Sequence, residues 1–438
     1  MLTVMMTAAL LGSPQIEWQE SWSAAREAST EAGKVLFVSL VHEGEQRSDD
    51  FLKLLKDKDV AAAASATINL SSTASRGTMP AVARALELEG LQGAVALPHH
   101  LWLDAQGNVL LSVPWEMTKS ELLWCFNHVY LRESSAQAPA LPADARAPHR
   151  LLFGDVHKPN GKLGRGRTPK EFDELIKKRN SGIGGLIATS IREMLFTDEK
   201  DAIKYVKKSM KTGSTFLDVG TDTGWIKRIG ERSPLSYASL VTPYAKEKER
   251  EKRLHAAVAL EQLGDPKTFK SVKSALSKEK DPSVRRAWLR ALGATGHKDS
   301  KAFGLLEDAI QEEKVESVRV CAILALGYLP SGAPEIRAKL SSLLNVGSDN
   351  ERIAAACAMA MTYDPHYLTA LEGAVTEEES DFNTDLGAAL AVLKGTNRKN
   401  LEPIVQRIAE DELDRPRIFF GITSAGDVAR DFDGWPPR

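Results

Sequence analysis

The chain has 438 residues and a formal net charge of −2, with 57 Lys and Arg against 59 Asp and Glu. Balanced charge excludes a protein that coats nucleic acid or an anionic membrane through bulk attraction. Three cysteines, Cys125, Cys321 and Cys357, are too few and too far apart for a disulfide framework or a thiolate metal site. Neither a metal site nor a cofactor is expected.

Residues 1–15 hold an apolar run ending in Ser13-Pro14 and read as a signal peptide that lacks a basic n-region. Cleavage there implies export, periplasmic or secreted; without it the location is cytoplasmic. No other stretch reaches the ~18 apolar residues needed to span a bilayer.

Residues 16–133 are expected to form one α/β domain. Ser21 to Gly33 is amphipathic and stops at glycine, a helix. Lys34 to Val41 is a short apolar run, sized for one buried strand. Asp49 to Ala64 reads as a helix, Thr67 to Leu70 as a strand and Met79 to Glu89 as a helix. Ala96 to Leu103 leads into a third strand, and Asp104-Ala-Gln-Gly107-Asn turns into a fourth at Val109–Val113. Thr118 to Leu131 closes the domain as a helix, with Thr118 and Glu121 spaced as a capping box.

This α-β-α-β-α-β-β-α order resembles a thioredoxin-like fold, on Trp22, the Lys34–Val41 strand, Leu97-Pro98 and the Asp104/Gly107 hairpin. The resemblance implies a redox motif after the first strand. His42-Glu43-Gly44-Glu-Gln-Arg47 stands there instead, with Gly44 and Arg47 near the two cysteine places. Dithiol exchange is therefore not available. Pro98 holds the place of the family's cis-proline, and Leu97 and Pro98 are the peptide-binding candidates that the resemblance implies.

Ser134 to Arg150 is rich in Ala and Pro, and residues 134–168 read as an extended linker. Residues 169–244 read as helical, with an irregular insert from Gly213 to Pro234. Gly182–Leu195 and Asp198–Met210 resemble a degenerate helix pair of the array that follows.

Residues 245–415 repeat. Asp281-Pro282-Ser-Val284-Arg285 returns as Glu316-Ser-Val318-Arg319, with Val and Arg 34 positions later. The stripe Phe269, Val272, Leu276 returns as Phe303, Leu306, Ile310, then as Ile336, Leu340, Leu344, as Leu368, Leu371, Val375 and as Leu401, Ile404, Ile408. A period near 34 signals stacked helix pairs. Small residues (Ala287, Cys321, Ala356, Ala389) mark the contact face of each first helix. The phrase Asp-Pro-x-Val-Arg resembles HEAT repeats, and the resemblance implies that Asp281, Arg285 and Arg319 bond between repeats. Residues 416–438 form a tail.

Other motifs lack the context that chemistry requires. Thr215-Phe-Leu-Asp218-Val-Gly220 has a glycine turn, but helical repeats follow it where a nucleotide fold needs alternating strands. Gly161-Lys-Leu-Gly-Arg-Gly-Arg167 lacks the ending of a phosphate loop. His42, Glu43, His99 and His100 have no metal-ligand spacing. The eight charges of Lys246–Arg253 read as a solvated helix start. The sequence thus points to a two-domain, non-enzymatic protein: an α/β thioredoxin-like sandwich without its dithiol, followed by an all-α HEAT-like solenoid. Protein partners are expected on the concave face of that solenoid, with no nucleic acid and no membrane span. The alternative readings are an enzyme that uses the thioredoxin-like scaffold through residues other than cysteine, and a HEAT-like lyase or modification protein.

Overall fold

The structure is a computed structural model. It describes residues 16–42, 46–74, 98–133, 141–142, 144–149, 152–153, 203, 207, 210, 222–232, 235–376, 378–396 and 398–410. The expected helix at 79–89, the segment at 161–167 and most of the early helix pair lie outside these residues.

In the N-terminal part, helix α1 (Trp22–Ala32) starts on the Ser21 hydroxyl, which accepts from Ala24 N–H, and stops at Gly33 with φ 61°. Strand β1 (Leu36–His42) follows. The expected single helix over 49–64 is two, α2 (Gln46–Leu54) and α3 (Lys58–Ala64). Asp57 breaks it, because its carboxylate caps α3 by accepting from Asp59 and Val60 N–H. Strands β2 (Ile68–Ala74), β3 (His99–Leu103) and β4 (Val109–Pro114) lead to helix α4 (Lys119–Glu133). The capping box is present: Thr118 N–H donates to Glu121 Oε2 at 2.9 Å, and Glu121 N–H to Thr118 Oγ1 at 3.3 Å.

The sheet order is β2-β1-β3-β4-β5, where β5 is Leu152–Phe153. Strand β2 runs parallel to β1, while β3 is antiparallel to both β1 and β4. Phe37 and Trp102 face each other across β1 and β3, with ring centroids 5.0 Å apart. Phe126 of α4 meets both, at 5.0 and 5.6 Å. That aromatic cluster docks α4 on the sheet.

Strand β5 (Leu152–Phe153) pairs with β4 and comes from inside the expected linker. Residues 144–149 are no spacer either: Ala145, Arg146 and Ala147 are buried. The small side chains of Ala145 and Ala147 suit a tight passage between two walls as well as they suit an extended linker.

Helix α5 (Asp222–Arg232) occupies half of the expected irregular insert. Its Trp225, Ile226 and Ile229 stripe is buried. A short helix α6 (Ala238–Val241) precedes the array. Among the described residues, five helix pairs follow. The first helices are α7 (Arg250–Leu263), α9 (Pro282–Gly296), α11 (Glu316–Leu326), α13 (Asp349–Thr362) and α15 (Asp381–Leu393). The second helices are α8 (Phe269–Leu276), α10 (Lys301–Glu312), α12 (Pro334–Val346), α14 (Leu368–Ala374) and α16 (Glu402–Ile408). Pro282 and Pro334 sit in the first helical turn, where no N–H is lost.

The second helices bury one stripe. The first helices α9, α11 and α13 are buried along most of their length. They approach each other through glycine: a Cβ on Gly293 would lie 2.4 Å from Ala325 O, and one on Gly327 2.8 Å from Ala358 O. Gly304, on the outside of α10, has nothing within 4 Å. Gly293→Ala should therefore cost about 1–3 kcal/mol through overpacking, while Gly304→Ala should gain about 0.5–1 kcal/mol of helix propensity. Equilibrium urea unfolding of the full chain measures both.

Candidate functional site

The groups of strongest chemical interest meet where residues 144–149 cross the first helices. Arg146 Nη2 donates to Glu121 Oε1 at 2.7 Å, with both side chains under a tenth exposed. Its Nη1 donates to Tyr328 O, just beyond α11, at 3.3 Å. Glu121 thus caps α4 with one oxygen and holds Arg146 with the other. His149 bonds the Gln262 carbonyl at 2.9 Å and packs on Tyr328 with ring centroids 5.4 Å apart. From α4, Trp124 stacks on His128 at 4.6 Å, and both rings approach Tyr363 at 6.3 Å.

Beneath this seam lies a second polar layer. Glu261 of α7 is fully buried and accepts from Tyr328 OH at 3.0 Å and from Arg290 Nε at 3.3 Å. Arg290 also donates to Cys321 Sγ at 3.3 Å. Burial and the Glu261 carboxylate push the Tyr328 hydroxyl well above its usual pKa, so it stays a donor. Arg398 lies 4.9 Å over the Tyr363 ring. His297 Nδ1 donates to Ala294 O at 3.0 Å, and burial, with Arg146 nearby, lowers its pKa to about 2.

Two cavities flank the strap, of about 10 Å³ beside Tyr328 and Arg398 and about 40 Å³ beside Trp115 and His297. These hold water at most. The seam is therefore a buried, hydrogen-bonded junction between the α/β domain and the array.

After β1, Arg47 lies in the first turn of α2, its guanidinium 5.2 Å over the Trp115 ring. Trp115 itself has φ 71° and donates its N–H to Pro98 O at 2.7 Å. Pro98 is buried. His42 ends β1, and Glu43, Gly44 and Leu97 lie outside the described residues. His99 bonds Ser112 Oγ at 2.7 Å, and His100 bonds Ser39 Oγ at 3.3 Å while stacking on Phe51. Both histidines are buried on opposite sheet faces, so neither opens to a substrate. The described residues contain no cluster of three or more His, Cys, Asp or Glu placed to hold a metal ion.

Asp281, Arg285 and Arg319 belong to a ladder. Arg253 pairs with Glu279 at 2.7 Å and Arg319 with Glu351 at 2.9 Å. Arg285 pairs with Glu313. Asp281 caps α9 and pairs with Arg250 at 2.9 Å. Arg253, Arg285 and Arg319 each also donate to a carbonyl of the loop before their own helix. At the fourth interface Arg352 lies over Phe382 at 4.5 Å. The charge run at Lys246–Arg253 is thus not merely solvated, since Arg250 and Arg253 carry the first rung.

Residues 239–327 match the family of HEAT repeats. No curated protein matches the chain. The chain carries HEAT repeats, and the ladder and the glycine approaches lie largely within the matched segment.

Sequence reasoning missed the seam. Its signal was present in Glu261 and Arg290, charges placed at apolar phase within Ala-Leu-Glu261-Gln-Leu and Trp-Leu-Arg290-Ala-Leu. Arg146 sits within an Ala/Pro tract that masked it.

Arg146→Met leaves the Glu121 carboxylate buried and unpaired, and should cost about 3–5 kcal/mol in equilibrium unfolding. Adding Glu121→Gln should recover part of that loss. His297 and the fully buried His100 are held neutral in the fold, with pKa values below the usual range through burial first. The unfolded chain gains their protons below pH of about 6.5, so the stability they contribute is present above that pH and lost as pH falls. Unfolding free energy should drop by about 1.4 kcal/mol per histidine between roughly pH 7.5 and 5.5. His297→Gln should flatten half of that slope.

Proposed function

We propose that the chain is a non-enzymatic scaffold for protein–protein interaction, a HEAT array braced by a thioredoxin-like module without a dithiol. The strand arrangement supports the thioredoxin-like reading: β2 is parallel to β1, β1 and β3 are central, and β3 is antiparallel to its neighbours. Pro98 before β3 and the helix opening after β1 fit the same reading. The three thiols lie elsewhere, in α4, α11 and α13, and all are fully buried. Burial pushes the Cys125 and Cys357 thiols up, so neither supplies a thiolate nucleophile at neutral pH.

The observation that carries the scaffold reading is the one-sided closure of the array. Its first helices are closed by the seam, while the second helices present a polar outer side, with Lys270, Lys273, Asp308 and Glu335 exposed. A stacked array with an open side is an extended binding surface. Partners of this protein bind there. Among the described residues no helix is long and apolar enough to cross a membrane. Export follows if residues 1–15 are removed as a signal peptide, which the mature N-terminus measured by mass spectrometry decides.

The full chain should show no reduction of insulin by dithiothreitol above background. Ellman's reagent should label none of the three cysteines in the folded chain and all three in denaturant. Turnover in the insulin assay would overturn the redox-inactive half of this reading. The scaffold half is tested by affinity capture from native lysate with the full chain as bait. A truncated array is unsuitable, because it would bare the first helices. Loss of all captured proteins on reversing Lys270, Lys273, Asp308 and Glu335 supports the open side, and retention of all of them overturns it.

A further inference from the structure

In an array of helix pairs, every connection from a second helix to the next first helix falls at one end of the helices. Those connections make a single edge here: residues 246–249, 277–281, 313–315, 347–348, 375–376 and 378–380. The ladder ties them in sequence through Arg253–Glu279, Arg285–Glu313 and Arg319–Glu351. Ser348 adds a bond to Glu316 at 2.6 Å. The edge is thus a continuous row of adjacent loops, and its chemistry changes along its length.

The first two loops are basic at their surface. Lys246, Lys248, Lys278 and Lys280 are exposed and line a cleft of about 500 Å³, with Arg253 tied back to Glu279. Glu247 also lines it, and Glu249 is held by Lys252 at 3.1 Å. From Lys246 to Arg253 and from Lys278 to Asp281 the chain carries seven cations and five anions. The last loop is purely acidic: Glu378, Glu379 and Asp381 are exposed, and Thr376 to Asp381 contains no cation. Between these ends stand Val315 and Val346, at 42% and 80% exposure. They are two of four large apolar side chains exposed among the described residues.

We propose that this edge binds a second copy of the chain, antiparallel, about a two-fold axis between the third and fourth loops. A two-fold interface must be self-complementary. Rotation about that axis exchanges the second loop with the fifth, and the third with the fourth. Lys278 and Lys280 of one copy then face Glu378 and Glu379 of the other, and Val315 faces Val346. Glu378, Glu379 and Asp381 of each copy enter the basic cleft of its mate. A parallel arrangement would set like charges opposite each other, which costs several kcal/mol. The edge spans four inter-repeat steps of about 10 Å each. One loop wide, it falls at the low end of specific interfaces, below about 1,200 Å² in total, so the dimer is a micromolar one.

Sedimentation velocity of the full chain, from low micromolar to several hundred micromolar, tests this. The wild type should pass from monomer to dimer, and added salt should weaken the dimer. Lys278→Glu with Lys280→Glu, and separately Glu378→Lys with Glu379→Lys, should each weaken dimerisation at least tenfold. An equimolar mixture of the two variants should restore it, because every contact across the axis is then opposite in sign again. Circular dichroism checks that each variant is folded; should one fail, Val346→Asp gives the same expected loss. A wild type that stays monomeric overturns the proposal, as do variants that dimerise normally or a mixture that stays monomeric. Species growing beyond the dimer would overturn the two-fold axis, since they mark open head-to-tail assembly.

Discussion

A helix with apolar or small residues on every side has to find a wall on every side. The first helices of this array are such elements: from Ile353 to Thr362, α13 buries every residue. Their neighbours supply two walls, at glycine-to-backbone distance, and the second helices supply a third. The fourth is made by α4 and the strap at residues 144–149, through Tyr328, Tyr363 and Gln262. Placement of the α/β domain follows from that need for cover.

Two sets of charges serve this packing differently. The seam pairs, Glu121–Arg146 and Glu261–Arg290, are out of water and therefore unforgiving of register: either partner alone is an uncompensated buried charge. Apolar residues of the same size would pack as well, so what the pairs contribute is position: Glu121 holds the strap on α4, from which Arg146 reaches Tyr328 O, and Glu261 with Arg290 sets α7 against α9. The ladder pairs are partly exposed and individually weak, within about 1 kcal/mol each. Their effect comes from repetition. Arg253, Arg285 and Arg319 also tie down a carbonyl of their own preceding loop, which sets the pitch of each repeat relative to the next.

Much of this was legible in residue spacing and some was not. Stripes such as Phe269, Val272, Leu276 located the second helices, because one buried face imposes a helical period. The sandwiched first helices carry no such period, and Ala287, Cys321 and Ala356 disclosed only that they approach closely. Strands β1, β3 and β4 were readable from apolar runs ended by Gly107 or Pro98. Strand β5 was not, since two residues carry no alternation. The Asp57 break inside 49–64 was hidden because the flanking Leu, Lys and Ala favour helix on both sides. The seam was hidden for a different reason. An arginine in an Ala/Pro tract and a glutamate in a capping box are each complete local signals, and only the fold shows that Arg146 and Glu121 are partners 25 residues apart.

The path of the chain across the seam has a mechanical consequence. The backbone leaves the sheet at β4, runs through α4, crosses the array at Arg146, and returns to pair Leu152 and Phe153 with β4. The α/β sheet therefore closes on itself only around a segment already lodged against the helices. Pulling the two halves apart breaks the Arg146–Tyr328 and His149–Gln262 bonds, and where the strap stays on the array it also takes Arg146 off Glu121 and β5 off the sheet. The molecule is stitched, and it should yield to heat or force as one cooperative body in place of two beads on a string.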